Sequence, residues 1–204
     1  GYFGNAQNTV DYFGDALDLY VINGDIFEFN SEEGYLDTLA FLGEIGGGCI
    51  PMIFSRGNHD TRGRLSERFT DYFPTVNGNT YYTLQVGPLR VLVLDCGEDK
   101  PDSDIEYGGT AAYDAYREGM AAWLKETIQS EEFRSAPVKI VLLHIPFAKG
   151  TGWYGNNELK RLLLPLLNEA GVDVMLSGHN HRYSYLEKGE ADNNFPILVN
   201  SNND

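Results

Sequence analysis

The segment best suited to chemistry is the tetrapeptide Gly57, Asn58, His59 and Asp60, which follows the apolar run 50–54. It is predicted to form a tight turn at the carboxyl end of a buried strand, where open α/β sheets bind their ligands. The turn offers a carboxamide oxygen, an imidazole and a carboxylate side by side. Asn, His and Asp are also common loop residues that hydrogen-bond their own backbone, so the tetrapeptide alone leaves both interpretations open.

The same arrangement occurs at three further strand ends. An Asp after a strand often only turns the chain, and a lone buried His is more often a satisfied core residue than a ligand. Four buried strands that all end in nitrogen and oxygen ligand types are better explained by metal binding. Without a thiolate, such a set suits zinc, manganese or iron, which lower the pKa of bound water towards about 7 and screen anionic oxygens. The added residues are Asp25, His144, His179 and His181.

In order and type, these residues resemble the motifs of the calcineurin-like metallophosphoesterase superfamily, which includes the purple acid phosphatases. The resemblance extends over about residues 19–182 and implies hydrolysis of a phosphate ester by metal-activated water. It also implies a small-molecule or protein phosphoester as substrate. The matching motifs are Gly24-Asp25, Gly57-Asn58-His59-Asp60, His144 and Gly178-His179-Asn180-His181.

The resemblance assigns a role to each metal-binding position. Asp25 is expected to bridge two ions of Mn, Zn or Fe. Asn58, His144 and His179 would complete one metal site, and His181 would belong to the other.

The two remaining motif residues are expected to be catalytic and not to bind metal. His59 would be the general acid that protonates the leaving oxygen, and Asp60 would hold its ring. An imidazolium beside cations can donate a proton, whereas a ligand imidazole cannot.

Two features depart from the superfamily pattern. No Asp-x-His precedes Asp25, and the strand that carries this motif in the superfamily is not recognisable before it. Either the natural protein begins earlier, or one metal site has been lost and the chain is a non-catalytic metal-binding domain with one incomplete site. In addition, Glu28 stands where purple acid phosphatases have a tyrosine, so an iron-tyrosinate enzyme is not implied.

The elements that position these residues predict an α/β fold, in which mixed β-sheets pack as a β-sandwich flanked by helices (α/β/β/α). Residues 1–204 are expected to form a single catalytic domain truncated at both ends. Apolar runs predict the strands, and apolar residues at helical spacing predict the helices. Strands are expected at 19–22, 50–54, 80–85, 89–94, 138–143, 172–176 and 195–199, and helices at 8–17, 31–42, 111–133 and from Asn156 or Asn157 onwards.

The composition limits the classes of partner that the chain can bind. The net charge of −15 gives no electrostatic footprint for nucleic acid, and no apolar run is long enough to cross a bilayer. Two cysteines are too few for a disulfide scaffold. The compartment stays open, and would be secreted or periplasmic if a leader had been removed. Trp153 and Tyr154, which lie between glycines after His144, are predicted to form a lid that faces the substrate. The alternative is an ordinary hydrophobic cover over the helix that follows.

Overall fold

A computed structural model describes residues 2–45 and 47–200, with eight strands and six α-helices in the described residues. In chain order these are α1 (Tyr2–Phe13), β1 (Tyr20–Asn23), α2 (Glu32–Ile45), β2 (Met52–Ser55), α3 (Phe69–Tyr72), β3 (Tyr82–Val86), β4 (Leu89–Val93), α4 (Tyr113–Thr127), α5 (Glu131–Arg134), β5 (Val138–Leu142), α6 (Tyr154–Ala170), β6 (Val174–Ser177), β7 (Ser184–Leu186) and β8 (Ile197–Val199). Short 3₁₀ turns cover Gly14–Ala16, His59–Thr61, Ser66–Arg68, Val76–Gly78 and Ile105–Tyr107.

The strands form two sheets. β1 and β2 pair in parallel, and the other six strands follow the order β3-β4-β5-β6-β8-β7. The four inner strands of the larger sheet are parallel, whereas β3 and β7 run antiparallel at its edges. Parallel strands need coverage on both faces, which explains why the inner strands appear in the sequence as continuous apolar runs.

Three hydrophobic clusters separate four layers. On β2, the alternation of side chains sends Phe54 towards α2 and α3 and Ile53 towards the larger sheet. Between the two sheets, Ile53 packs with residues of β3, β4 and β5, namely Tyr82, Val91, Val93 and Leu142. The largest cluster lies between the six-stranded sheet and α4, α5 and α6. The order of layers is helices, small sheet, large sheet and helices, which confirms the predicted mixed α/β sandwich.

Some boundaries differ from the sequence prediction. β7 was not predicted, since its three residues are too short to give a recognisable pattern. α6 begins at Tyr154, and the expected cap at Asn156 or Asn157 is wrong. Asn156 instead donates to the Pro146 carbonyl and Asn157 bonds the backbone of Gly152, so both side chains secure the preceding loop.

The carboxyl ends of the inner strands of the two sheets meet at one place. Asn23, the last residue of β1, donates its side-chain amide to the Leu176 carbonyl on β6 at 2.9 Å. Its own carbonyl lies 2.6 Å from the ring of His144, which follows β5. Asn23 therefore joins the two sheets where the predicted ligands emerge.

Candidate metal centre

The structure brings together four of the residues predicted as metal ligands. Asp25, His144 and His179 each offer a ligand atom, and these atoms all lie within 4.8 Å of one another. Asn58 adjoins them, with its Oδ1 3.1 Å from Nδ1 of His179. Each residue follows a different strand, namely β1, β5, β6 and β2, so the group depends on both sheets.

The contact between His144 and Asp25 fits a bound cation. Nδ1 of His144 lies 2.6 Å from the Asn23 carbonyl, which can only accept, so Nδ1 carries the hydrogen. In the neutral ring, Nε2 then presents a lone pair to Oδ2 of Asp25 at 2.9 Å. Nε2 is buried, and no hydrogen bond of good geometry satisfies it. Two acceptors that face each other this closely require a proton or a metal ion between them.

The pKa directions of the pair agree with this interpretation. Burial acts to lower the pKa of His144, but the hydrogen bond and charge of Asp25 outweigh it and the pKa is raised. Burial acts to raise the pKa of Asp25, but the hydrogen bond and charge of His144 lower it to about 2. In the metal-free protein these pKa shifts favour a proton on Nε2 of His144 that faces the carboxylate, at the position that also suits a cation.

His179 is held in the neutral form that binds metals. Burial, followed by the charge of His144, lowers the pKa of His179 to about 4. Its Nε2 is buried without a hydrogen-bond partner. The ring packs edge-on against His144, with centroids 5.5 Å apart. A neutral imidazole with an unsatisfied buried nitrogen is a suitable donor for a divalent ion.

The backbone of the site is strained. Asp25, His179 and His181 have φ values of 57°, 68° and 49°, a left-handed conformation that costs non-glycine residues about 1–3 kcal/mol each. A Cβ on Gly57 would overlap Asp25, so the close approach of the two strand-end turns requires glycine there. Strain of this kind is concentrated at functional sites.

His181 lies at the edge of the site. It is exposed and does not belong to the group of three whose ligand atoms converge. It lines a cavity of about 220 Å³ that also borders Asp25, His144 and His179. Two further polar side chains of the cavity, Asn23 and Ser177, contain buried oxygens without a hydrogen-bond partner. The cavity therefore has unsatisfied polar groups in a mixed lining and adjoins the candidate metal centre.

The predicted contact between Asp60 and the His59 ring is wrong. Asp60 is fully buried, and its carboxylate accepts the backbone N–H groups of Asp25, Phe27 and Gly57 at 2.8, 3.0 and 2.8 Å. Burial raises the pKa of Asp60 to about 6, against the lowering effect of these hydrogen bonds. Its carboxylate joins the turn after β1 to the turn after β2 and is unavailable to the ring.

Glu28 occupies the position expected for Asp60. Its Oε2 lies 2.9 Å from Nδ1 of His59, whose side chain is 30% exposed. The backbone N–H of His59 donates to Oδ1 of Asp25 at 3.0 Å, so the ring starts directly beside the candidate ligands. The sequence prediction missed this contact, although Glu28 lies only three residues after Asp25 in the same strand-end turn.

The two residues of the predicted lid, Trp153 and Tyr154, lie in different environments. Trp153 is 62% exposed and lies edge-on against His179, with centroids 5.4 Å apart. Tyr154 begins α6, and burial, followed by a hydrogen bond to Asp114 on α4, raises its pKa to about 12. Trp153 therefore adjoins the site, whereas Tyr154 interacts with a helix.

Relatives of the chain have phosphatase names. Purple acid phosphatase 18 of Arabidopsis thaliana is 23% identical over 222 residues, which cover 98% of the chain and 46% of that protein. Human serine/threonine-protein phosphatase CPPED1 is 25% identical over 160 residues, 75% of the chain and 47% of that protein. The chain thus spans about half the length of the curated relatives it matches.

Solved structures share the fold. Purple acid phosphatase PPD1 from yellow lupin superposes with a TM-score of 0.61 at 15% identity, covering 96% of the chain and 38% of the lupin protein. GAP50, described as the anchor in the inner membrane complex of Plasmodium, gives 0.60 at 17% identity, covering 97% of the chain and 65% of GAP50. No helix in the described part of the chain is long and apolar enough to span a membrane.

The family assignment rests on the sequence as a whole. The sequence profile of the calcineurin-like phosphoesterases matches residues 1–183, which include every motif residue named above. The description of the family and the names of the relatives indicate phosphoester hydrolysis in general, and the family implies divalent or trivalent metal ions. The chain belongs to the calcineurin-like phosphoesterase family.

Proposed function

We propose that this protein is a metal-dependent hydrolase of phosphate esters. The observation that carries the proposal is the buried pair of facing acceptors, Nε2 of His144 and Oδ2 of Asp25, only 2.9 Å apart. A proton or a metal ion must lie between these two atoms, and the neutral imidazole and carboxylate together form a ligand pair that suits a divalent cation. A bound ion would lower the pKa of a coordinated water and screen the phosphate oxygens.

The proposed ligands of one ion are Asp25, Asn58, His144 and His179, which supply only oxygen and nitrogen. This donor set suits Mn, Zn or Fe. His181 is proposed for a second ion, with Asp25 as the bridge. Its place on the rim of the cavity that Asp25 also lines supports that assignment.

His59 is the proposed general acid. Glu28 contacts its Nδ1, so Nε2 is the nitrogen that can donate a proton to the leaving oxygen. Adjacent residues of a tight turn rarely direct their side chains at the same ion, and Asn58 already lies among the candidate ligands. Asp60 has a supporting role, because it fixes the backbone from which both Asp25 and His59 extend.

The proposed substrate is a small-molecule or protein phosphoester. The names of the relatives support this class, since they include purple acid phosphatases and a serine/threonine-protein phosphatase. Trp153 adds an exposed aromatic surface beside His179, which favours esters with a flat apolar group.

A screen of phosphomonoesters and phosphodiesters, with Mn²⁺, Zn²⁺ or Fe³⁺ added to chelator-treated protein, tests the proposal. We expect metal-dependent turnover that is lost in Asp25→Asn and kept in Asp37→Asn, a matched control on the exposed face of α2. Absence of turnover with every metal and ester, or equal rates in the two variants, would contradict it.

A second candidate is a metal-binding domain without catalysis. The observation that favours it is that the fold also occurs in GAP50, which is described as an anchor. This candidate predicts that the protein binds one ion through Asp25, Asn58, His144 and His179 and hydrolyses none of the esters in the screen.

A further inference from the structure

Arg62 follows the central motif and lies beside His59. The 3₁₀ turn His59–Thr61 ends there, with the Arg62 N–H bonded to the His59 carbonyl at 3.0 Å. In a 3₁₀ turn, side chains three residues apart eclipse each other. The backbone therefore places the Arg62 side chain directly over that of His59.

The guanidinium covers the face of the imidazole ring. Nη1 of Arg62 lies 3.2 Å from both Nδ1 and Nε2 of His59. A point equally close to both nitrogens cannot lie in the ring plane, because it would collide with Cε1 or with the opposite ring edge. Nη1 thus lies above the ring, in the stacked contact that arginine makes with flat side chains.

The rest of the guanidinium is fixed by a buried carboxylate. Nε and Nη2 of Arg62 donate to Oε1 and Oε2 of Glu98 at 2.7 and 2.8 Å, and Glu98 is only 3% exposed. The fully buried Arg117 donates to the Cys96 and Glu98 carbonyls, which holds this loop in place. Arg62 is therefore oriented by contacts that do not involve His59.

We propose that Arg62 is a positioning residue that fixes the plane of the His59 ring. The inference rests on the proposed role of His59 as general acid. A histidine ring rotates easily about its outer torsion angle, and the single contact at Nδ1 with Glu28, whose side chain is 70% exposed, restrains that rotation only weakly. Arg62 blocks it from one face and leaves the Nε2 edge open for the leaving oxygen.

The metal-free protein provides the first test. The chain has only four histidines, so their ring nitrogens can be assigned by ¹⁵N NMR, and carbethoxylation of His59 by diethyl pyrocarbonate can be followed by mass spectrometry. In Arg62→Ala we expect line broadening of the His59 ring nitrogens and severalfold faster modification of His59. Arg62→Lys, which keeps the charge but loses the planar fork, should behave like Arg62→Ala.

The matched control is Arg64→Ala, because Arg64 is an exposed arginine only two residues further on. It should leave the His59 signals and modification rate as in the wild type. His59 signals and reactivity that are the same in all three variants would overturn the proposal. This result is independent of catalysis, so it decides the role of Arg62 even if no ester is hydrolysed and the proposed function fails.

The second test measures kcat and KM separately in the metal-loaded protein. Displacement of a reacting group by a small distance costs up to about 100-fold in rate, so Arg62→Ala should lower kcat for an alkyl phosphate about 10- to 100-fold. It should change kcat little for a p-nitrophenyl ester, whose leaving oxygen needs little protonation. A raised KM with an unchanged kcat for both esters would show that Arg62 contacts the substrate instead, and would overturn the positioning role.

Discussion

On the buried side of the site, His144 is 2% exposed and its ring is oriented by a main-chain carbonyl, whereas on the rim His59 is 30% exposed and is oriented by Glu28 and Arg62. Both rings extend from strand ends. The His144 ring is held where the two sheets meet, and the His59 ring is held by the long charged side chains of Glu28 and Arg62.

The packing of the two sheets determines the geometry on the buried side of the site, whereas side-chain contacts determine it on the rim. The geometry around His144 cannot change without separating β1 from β5 and β6, because Asn23 is bonded to both His144 and Leu176. The rim can change by rotation of single side chains. Substitutions on the buried side should therefore alter metal affinity, and substitutions of His59, Glu28 or Arg62 on the rim should alter kinetics with the metal retained.

The largest effect is expected on the buried side. His144→Gln should weaken binding of Zn²⁺ by more than about 100-fold, which exceeds the 10- to 100-fold cost of removing an outer-shell partner. His181→Gln, on the exposed rim, should weaken the same site far less. Calorimetric titration of chelator-treated protein measures both. Equal losses of Zn²⁺ affinity in His144→Gln and His181→Gln would contradict the distinction between the buried side and the rim.

The next largest effect is expected for His59→Ala. General acid catalysis contributes about 10²–10⁴-fold, so turnover of an alkyl phosphate should fall by that factor, and turnover of a p-nitrophenyl ester far less. Metal content, measured by mass spectrometry of the elements, should equal that of the wild type. Loss of metal in this variant would show that His59 contributes to metal binding, which would contradict its placement on the rim.

Asp60→Asn should destabilise the join between the two turns. An asparagine has one acceptor oxygen, so at least one of the backbone N–H groups of Asp25, Gly57 and Phe27 would lose its partner. A buried unsatisfied group costs about 1–3 kcal/mol. Urea unfolding of the metal-free protein, with Asp37→Asn as the control, measures the loss. An unchanged free energy of unfolding would contradict the proposed supporting role of Asp60.

The smallest effect is expected on the outer rim. Trp153→Ala should raise KM for aromatic phosphoesters about 2- to 10-fold, the equivalent of an aromatic contact of about 0.5–1.5 kcal/mol, and leave KM for a small alkyl ester unchanged. Tyr154→Phe should change neither, because its hydroxyl bonds Asp114. If Tyr154 contributes as much as Trp153, the predicted two-residue lid is restored.

The convergence of Asp25, Asn58, His144 and His179 could be predicted because it depends on strand ends. Apolar runs mark buried strands, and parallel strands bring their carboxyl ends to one edge, so ligand types after such runs meet in space. The mixed sandwich could be predicted for the same reason. The short edge strand β7 could not, because three residues contain too little periodicity.

The partners of His59 could not be predicted from the motif, because they depend on side-chain reach. Asp60 is adjacent in sequence, but its carboxylate is directed into the protein by backbone N–H groups. Glu28 lies 31 positions from His59 and Glu98 lies 36 positions from Arg62, so only the fold brings each pair together. The eclipsed contact of Arg62 could have been inferred if the 3₁₀ turn after the motif had been recognised.

The most direct measurement is an anomalous-difference map from crystals grown with Zn²⁺. We expect a peak bounded by Asp25, Asn58, His144 and His179, with ligand distances of about 2.0–2.2 Å and with Nε2 of His144 directed at the ion. A map without a peak between these residues, or with the ion bound elsewhere while Nε2 of His144 still faces Asp25 directly, would contradict it.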